Sequence, residues 1–230
     1  MYIFVFIFMI ALGITFWGRG RYVKIYGQEA ENRLPSNLSG SELAEKILKS
    51  RGIEGVTVVR SRSVLEDFYS PAKKEISLAP WHFDGTNFPA LAIAAQQAGK
   101  AIQDFEGHRP LLWRTSVIRW TVYLSIPLAL VAVLVTLLGM TKTMLPMALL
   151  AWSAIAFWNI ATIPTELDAG ERAKKQLEKL KVFRNLDERV GVERVMGAAS
   201  TAYLDGFFTV ASWVGRTLMP WAKKQIKPKE

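Results

Sequence analysis

The sequence predicts a mainly α-helical integral membrane protein, in which several transmembrane helices accompany a small cytoplasmic α+β unit of one helix and a short β-ribbon. Two observations indicate this fold class. Half of the 230 residues are hydrophobic, and they gather in blocks close to the length that crosses a bilayer. The mean hydropathy is positive, +0.16, although 21% of the residues are charged. The absence of cysteine excludes disulfides and thiolate zinc sites.

The first segment, residues 1–17, is apolar apart from Thr15 and is predicted to be an N-terminal transmembrane anchor. A helix of this length reaches about 26 Å, slightly less than the roughly 30 Å of a hydrocarbon core. No Lys or Arg precedes the segment, and Arg19, Arg21 and Lys24 follow it, which is unlike a secretory signal peptide. A buried helix of a soluble protein is disfavoured because the segment has so few polar residues.

Residues 18–119 are predicted to form the water-facing region. Ser39 and Glu42 fit a capping box at the start of a helix. Residues 56–62 and 75–78 are rich in strand-forming residues, and a turn separates them. Because so small a unit buries little core alone, we expect it to pack against the helix that follows.

The central helix is predicted over residues 88–105, where Ala, Leu, Ile and Gln dominate and Asn87 can cap the first turn. Gln96 and Lys100 are four residues apart and therefore lie on one face of this helix. Metallopeptidases place two zinc-binding histidines at this spacing, with a Glu beside the first, in the H-E-x-x-H motif. From the spacing alone, an ordinary helix face turned to the interior is the better explanation.

The surrounding residues carry a more specific signal. The run AAQQAGKAIQ resembles the A-A-H-E-x-G-H-A-I-Q helix of the bacterial membrane-bound neutral zinc metallopeptidases. In that pattern the two histidines fall on Gln96 and Lys100, and the catalytic Glu falls on Gln97. The resemblance extends from about residue 37 to 211 and implies that Glu166 is the third zinc ligand. Three further runs carry it, namely NLSGSELAEKIL, DFYSPAKKEISLAP and IPTELDAGERA.

The resemblance implies a zincin-like central helix with a vestigial site, made of Gln96, Gln97, Lys100 and Glu166. Neutral amides and a protonated lysine are poor zinc ligands, and Gln97 cannot serve as a general base. We therefore expect no catalytic residue, no bound metal, no cofactor and no peptide hydrolysis by the family mechanism. The Lys100 ammonium is expected to pair with Glu166, with Gln96 and Asp168 nearby. The alternative is that Lys100 extends to lipid headgroups.

The two histidines of the chain, His82 and His108, flank the central helix. A helix of 18 residues is about 27 Å long, so the two histidines cannot share one metal ion. Both are predicted to be surface or turn residues. A G-x-S-x-G motif and a glycine-rich phosphate loop are absent from the sequence, which argues against a serine hydrolase and a nucleotide site.

The C-terminal half is divided by charge into four predicted segments. Glu171 and Lys175 are spaced for an ion pair on a helix. Asp205 and Arg216 make spanning expensive, so the last apolar block either spans or is re-entrant. The segments are a transmembrane hairpin at 120–163, a cytoplasmic helical region at 164–199, a transmembrane or re-entrant helix at 200–220 and a basic tail at 221–230.

Lys and Arg concentrate in 18–119 and 164–199, which the positive-inside rule places on the cytoplasmic side of a bacterial cytoplasmic (inner) membrane. The formal charge of +9 is better explained by anionic lipid than by nucleic acid, because the positive residues lie beside the apolar blocks. The predicted partners are therefore the lipid bilayer and either a membrane protein or a second copy of the chain.

Three functions follow from these features. The favoured one is a catalytically inactive metallopeptidase homologue that acts as a binding, scaffolding or regulatory subunit of a membrane complex. The second is an active hydrolase of the same family that uses an atypical site. The third is a purely structural subunit of a larger membrane complex.

Overall fold

A computed structural model describes residues 2–61, 67–113 and 163–202, together with a few isolated positions between 116 and 139. The chain divides into two compact units. One contains residues 1–15, 117–160 and 204–230, most of which lie outside the described residues. The other contains residues 16–116 and 161–203 and carries the sheet and the candidate site.

Six helices and three strands have both ends within the described part of the chain, and residues 109–113 are also helical. In order they are α1 (Tyr2–Glu29), α2 (Gly40–Ser50), β1 (Thr57–Arg60), β2 (Phe68–Ser70), β3 (Glu75–Leu78), α3 (Pro80–Phe83), α4 (Phe88–Phe105), α5 (Ile163–Lys179) and α6 (Leu186–Ala202).

Helix α1 contradicts the predicted transmembrane anchor. Its apolar run ends at Trp17, and the same helix continues through Arg19, Arg21 and Lys24 to Glu29. The helix therefore continues well past the predicted anchor, through residues that carry charge. Among the described residues, no helix combines the length and the apolar character required to cross a membrane.

This finding corrects three predictions. Over the described residues, it contradicts the integral membrane fold with several transmembrane helices, the transmembrane character of the chain and the multi-pass location in the bacterial cytoplasmic membrane. The predicted hairpin at 120–163, apart from isolated positions and residue 163, and the segment 200–220 beyond residue 202 lie outside the described residues.

Helix α2 begins with the predicted capping box. The Glu42 N–H donates to Ser39 Oγ at 3.3 Å, and the Ser39 N–H donates to Glu42 Oε2 at 2.8 Å. Both hydrogen bonds satisfy backbone donors that the first turn of a helix leaves unpaired. The amphipathic pattern of α2 then turns one apolar face towards α4, and the fully buried residues of this face are Leu43, Ala44 and Ile47.

The strands form a three-stranded sheet in the order β1-β3-β2, where the sequence predicted a two-stranded ribbon. β3 pairs in parallel with β1, through Val58 and Ile76, and antiparallel with β2, through Tyr69 and Ile76. Ile76 and Leu78 are completely buried. The third strand, β2, was not predicted because it is only three residues long. Pairing with β3 stabilises it, rather than the strand propensity of its own residues.

Helix α4 is the centre of this unit, and α2, α5 and α6 pack against it. Its predicted cap is confirmed, because Asn87 Oδ1 accepts a hydrogen bond from the Ala90 N–H at 3.0 Å. Nearly the whole helix is buried, from Phe88 to Gln103. The polar residues of α4 therefore lie inside the protein, where they must find partners.

The helical region predicted at 164–199 contains two helices, α5 and α6, separated by a turn. α5 ends at Lys179, and Lys181 adopts a left-handed backbone conformation, with φ of 49°, in the turn before α6. On α5, Glu171 contacts Lys174 at 2.8 Å, not the predicted Lys175. Both spacings bring side chains together on a helix, so the sequence alone does not choose between them.

Candidate functional site

Helices α4 and α5 bring Lys100 and Glu166 together. Lys100 Nζ lies 3.0 Å from Glu166 Oε1, and the two side chains are only 4% and 1% exposed. These residues are 66 positions apart in the sequence, so the pairing depends on the packing of the two helices. The expected ion pair is confirmed, and the alternative of a lysine extended towards lipid headgroups is wrong.

Gln96 completes the arrangement one turn earlier on α4. Its Nε2 donates to Glu166 Oε2 at 2.9 Å and contacts Ser200 Oγ of α6 at 3.2 Å. Ser200 in turn donates to the Met196 carbonyl oxygen at 3.0 Å. We call Gln96, Lys100, Glu166 and Ser200 the polar cluster. One oxygen of the Glu166 carboxylate therefore contacts Lys100, and the other contacts Gln96, four residues earlier on α4.

Ser200 was not predicted as a site residue. Nothing in the local sequence distinguishes it, since a serine among alanines near a helix end is common. Its place in the polar cluster follows from the packing of α6 against α4, which brings it next to a residue 104 positions earlier.

Gln97 occupies the position at which the family pattern has its general base, and it is completely buried. A glutamine amide is neutral and does not accept a proton at ordinary pH, so it cannot do the work of a carboxylate there. Burial also separates the side chain from solvent water, which hydrolysis consumes.

Asp168 was expected near the Lys100–Glu166 pair, but its carboxylate contacts other residues. Its Oδ2 accepts from Gln103 Nε2 and from Arg172 Nε, both at 2.6 Å, and His108 Nε2 lies 3.8 Å away. Arg172 also contacts Glu106. Burial, and then the positive charge of nearby Arg51, lower the pKa of Arg172. This network ties the end of α4 to α5 beside the polar cluster.

His82 corrects the prediction that both histidines are surface or turn residues. His108 is 27% exposed in the turn after α4, but the His82 side chain is only 5% exposed. His82 Nδ1 lies 2.7 Å from Asp67 Oδ2, and its Nε2 lies 3.0 Å from Tyr26 Oη. Asp67 Oδ1 also accepts from the Ala79 N–H at 2.8 Å.

Tyr26 stands at one end of this chain of contacts. Burial, and then the negative charge of Asp67, raise the pKa of Tyr26 to about 12, so its hydroxyl keeps its proton at neutral pH. In the His82 tautomer whose Nδ1–H donates to Asp67, the Nε2 accepts from the Tyr26 hydroxyl. The three residues fasten α1 to α3 and to the start of β2, and no sequence signal links them.

Comparison with known proteins places the chain in a family. The family model described as "Putative neutral zinc metallopeptidase" matches residues 1–219. The chain belongs to this family. The resemblance carried by the central helix and its flanking runs is therefore confirmed.

A related protein supports the same membership in the neutral zinc metallopeptidase family. The chain is 27% identical over 202 residues to the "Putative membrane protease YugP" of Bacillus subtilis (strain 168), a match that covers 88% of this chain and 89% of the relative. A search of solved structures gives no match.

The residues present do not fit the zinc ion of a neutral zinc metallopeptidase. The Lys100 ammonium has no lone pair to offer a metal, and it lies against Glu166 Oε1. Gln96 turns its amide nitrogen to Glu166, and its buried Oε1 has no hydrogen-bond partner among the described residues. In the same part of the chain, no group of three or more His, Asp or Glu side chains is placed to hold a metal ion.

Proposed function

We propose that this chain is a non-hydrolytic member of the neutral zinc metallopeptidase family, which acts by binding another protein chain rather than by cutting one. The observation that carries the proposal is the buried ion pair of Lys100 and Glu166, 3.0 Å apart. An ammonium group already neutralises the carboxylate that the family pattern offers to zinc.

The chemistry of peptide hydrolysis supports the same conclusion. A zinc peptidase needs three protein ligands, an open position for water and a base that accepts the proton of that water. Gln96 and Lys100 stand at two ligand positions, and Gln97 stands at the position of the base. These three side chains and Glu166 are at most 4% exposed, so a peptide carbonyl has no access to them.

A binding role is supported by what the chain has kept. The central helix retains its cap, its close contact with α5 and its packing against α2 and α6, although the residues for hydrolysis are replaced. A protein that keeps its fold without the residues for catalysis is expected to act by binding through its surface. The binding partner in this proposal is a second protein or another copy of the same chain.

The first experiment measures metal and activity together. The purified full-length chain is analysed for zinc by mass spectrometry and assayed with fluorescent casein, with thermolysin as the positive control for the assay. We expect far less than one zinc per chain and no cleavage above background. One zinc per chain together with cleavage that a chelator abolishes would establish the active hydrolase instead.

The second experiment tests binding. Chemical cross-linking followed by affinity purification and mass spectrometry identifies a protein partner, and light scattering on the purified chain reports self-association. A specific cross-linked partner or a defined oligomer supports the proposal. A chain that is monomeric and cross-links to nothing above a control bait contradicts the binding role.

A further inference from the structure

We infer that the pocket at the turn between α5 and α6 binds an acidic segment of a partner protein, with one apolar side chain of that segment seated in the pocket. This inference rests on the proposed function and specifies the surface and the chemistry by which the partner is recognised. The pocket is separate from the polar cluster, because no residue of that cluster lines it.

The pocket is a concavity of about 600 Å³ formed by three consecutive pieces of the chain. Its walls are the end of α5, the turn that follows and the first turn of α6. Ligand pockets in proteins usually measure roughly 300–1,000 Å³. A bulky side chain and part of the peptide backbone that carries it can therefore enter this pocket.

Backbone hydrogen bonds fix the shape of the pocket on the α5 side. The Lys181 N–H donates to the Glu178 carbonyl oxygen at 3.0 Å. The Val182 N–H donates to the Leu177 carbonyl oxygen at 3.2 Å. With Lys181 in the left-handed conformation, these bonds form the Schellman motif that ends many helices.

The first turn of α6 is fixed by side-chain caps. The Glu188 N–H donates to Asn185 Oδ1 at 2.8 Å, and Glu188 Oε2 accepts from the Arg184 N–H at 2.8 Å. Glu188 is buried, and its carboxylate is used in this cap. Both walls are held by bonds within the protein, so the pocket is formed before a partner binds.

Positive charge dominates the lining of the pocket, which has three cationic side chains, Lys181, Arg184 and Arg189, and one carboxylate, Glu178. Glu178 contacts Arg189, which also contacts Glu193. Lys181 and Arg184 are exposed, and within the described part of the chain no carboxylate lies within ion-pair distance of either side chain. Both cations are therefore available to the carboxylates of a ligand.

The remaining lining is largely apolar. Leu177 is completely buried, Phe183 is half-buried, and Leu186 is 69% exposed. An apolar side chain that enters the pocket removes part of the Leu186 surface from water, and this burial favours binding. An acidic segment with one apolar residue therefore matches both the charged and the apolar parts of the lining.

A protein segment fits this lining better than three other occupants. A bilayer presents a flat layer of headgroups, which does not enter a concavity. Single-stranded nucleic acid stacks its bases on open aromatic faces, whereas Phe183 is half-buried. A second copy of the chain carries a formal charge of +9 and no run of more than two acidic residues, so like charges oppose its approach.

The test measures fluorescence anisotropy with the full-length chain and a labelled synthetic peptide in which three glutamates stand on each side of one phenylalanine. We expect saturable binding with a Kd below about 100 μM at low ionic strength, which weakens as salt is added. A peptide with serine in place of phenylalanine is expected to bind at least about fivefold more weakly, because it leaves the apolar lining uncovered. A peptide with lysine in place of glutamate is expected not to bind.

Charge reversal locates the binding site. Lys181→Glu/Arg184→Glu is expected to weaken peptide binding at least about tenfold. Lys46→Glu/Lys73→Glu is the matched control, because neither lysine lines the pocket and the change in net charge is the same. The control is expected to weaken binding less than about twofold. All four residues are exposed, so both variants are expected to keep the melting temperature of the parent chain, which is measured first.

A third variant tests the apolar contact. Leu186→Ser is expected to weaken binding of the phenylalanine peptide at least about threefold and to leave binding of the serine peptide unchanged. General attraction between a chain of charge +9 and an acidic peptide would not couple one residue of the chain to one residue of the peptide.

Three results would overturn the pocket as the docking site. One is no binding of the phenylalanine peptide up to about 1 mM. Another is equal affinity for the phenylalanine and serine peptides, or equal weakening by the two charge-reversed variants, since binding would then be general attraction. The third is binding to phosphatidylserine vesicles that Lys181→Glu/Arg184→Glu abolishes, without peptide binding, which would assign the pocket to lipid.

The failure of this inference is distinguishable from the failure of the proposed function. A partner that cross-links equally to the parent chain and to Lys181→Glu/Arg184→Glu overturns the pocket but leaves the non-hydrolytic binding role standing. Zinc-dependent cleavage of casein by the parent chain overturns the proposed function, whatever the peptides do.

Discussion

Gly99 of α4 touches the backbone of Ala169 on α5, so closely that a Cβ at position 99 would lie 2.1 Å from the Ala169 carbonyl oxygen. No side chain can be accommodated there without moving the two helices apart. The same close approach sets the distance across which Lys100 reaches Glu166.

Gly99→Ala is therefore expected to destabilise the chain by at least about 1–3 kcal/mol, the usual cost of overpacking a core. Urea denaturation followed by circular dichroism measures the free energy of unfolding. Gly197→Ala on α6 is the matched control, because a Cβ there meets no atom within 4 Å. The control is expected to be neutral or slightly stabilising, since alanine favours helix over glycine. Equal effects of the two substitutions would contradict the backbone contact.

Lys100→Met is expected to destabilise the chain by about 3–5 kcal/mol, because it leaves the buried Glu166 carboxylate without a positive charge. Lys100→Met combined with Glu166→Gln is expected to recover much of this loss, and the double-mutant cycle measures the coupling in denaturant. Arg60→Met is the control, since the Arg60–Asp84 pair is more than half exposed and such pairs contribute roughly 0–1 kcal/mol. Additive effects of the two buried substitutions would show that Lys100 and Glu166 are not coupled.

Tyr26 is expected to make the stability of the chain sensitive to alkaline pH. Its pKa is raised from 10.0 to about 12 in the folded protein, by burial first and by the Asp67 charge second. Because the folded state holds this proton more tightly, the contribution of Tyr26 to stability is fully present below about pH 10. It is lost as the pH rises from about 10 to about 12.

Tyr26→Phe removes this titration and the hydrogen bond to His82, so the variant is expected to be less stable at pH 8 by about 1–3 kcal/mol. It is also expected to lose less stability than the parent chain between pH 10 and 12. Denaturant midpoints measured across this range check both statements, and tyrosinate absorbance provides the direct titration. A variant that loses stability with pH as steeply as the parent would contradict the raised pKa.

Features that depend on neighbouring residues were predictable from the sequence. The capping box of Ser39 and Glu42 and the Asn87 cap need only a side chain and a backbone N–H three residues away. The periodicity that predicted α4 is also local, and the observed helix has the predicted bounds, Phe88–Phe105.

Features that depend on distant partners were missed. β2 depends on its pairing with β3. His82 is buried next to Tyr26, which lies 56 residues earlier in the chain and contacts the His82 ring. The membrane prediction failed for a related reason. The apolar composition of α1 predicts a helix in lipid, but the helix continues past the apolar run into charged residues, and no helix among the described residues combines the length and the apolar character required to cross a membrane.

By itself, the sequence determined the family, the position of the central helix and the replacement of two metal ligands and a base by Gln96, Lys100 and Gln97. Those properties follow from residue identity and from short-range spacing. Only the tertiary structure decided that Lys100 meets Glu166, that Ser200 joins Gln96 and that Asp168 belongs to another network. These contacts join helices far apart in the chain, and their distances are set by backbone packing such as that of Gly99 on Ala169, which no local pattern encodes.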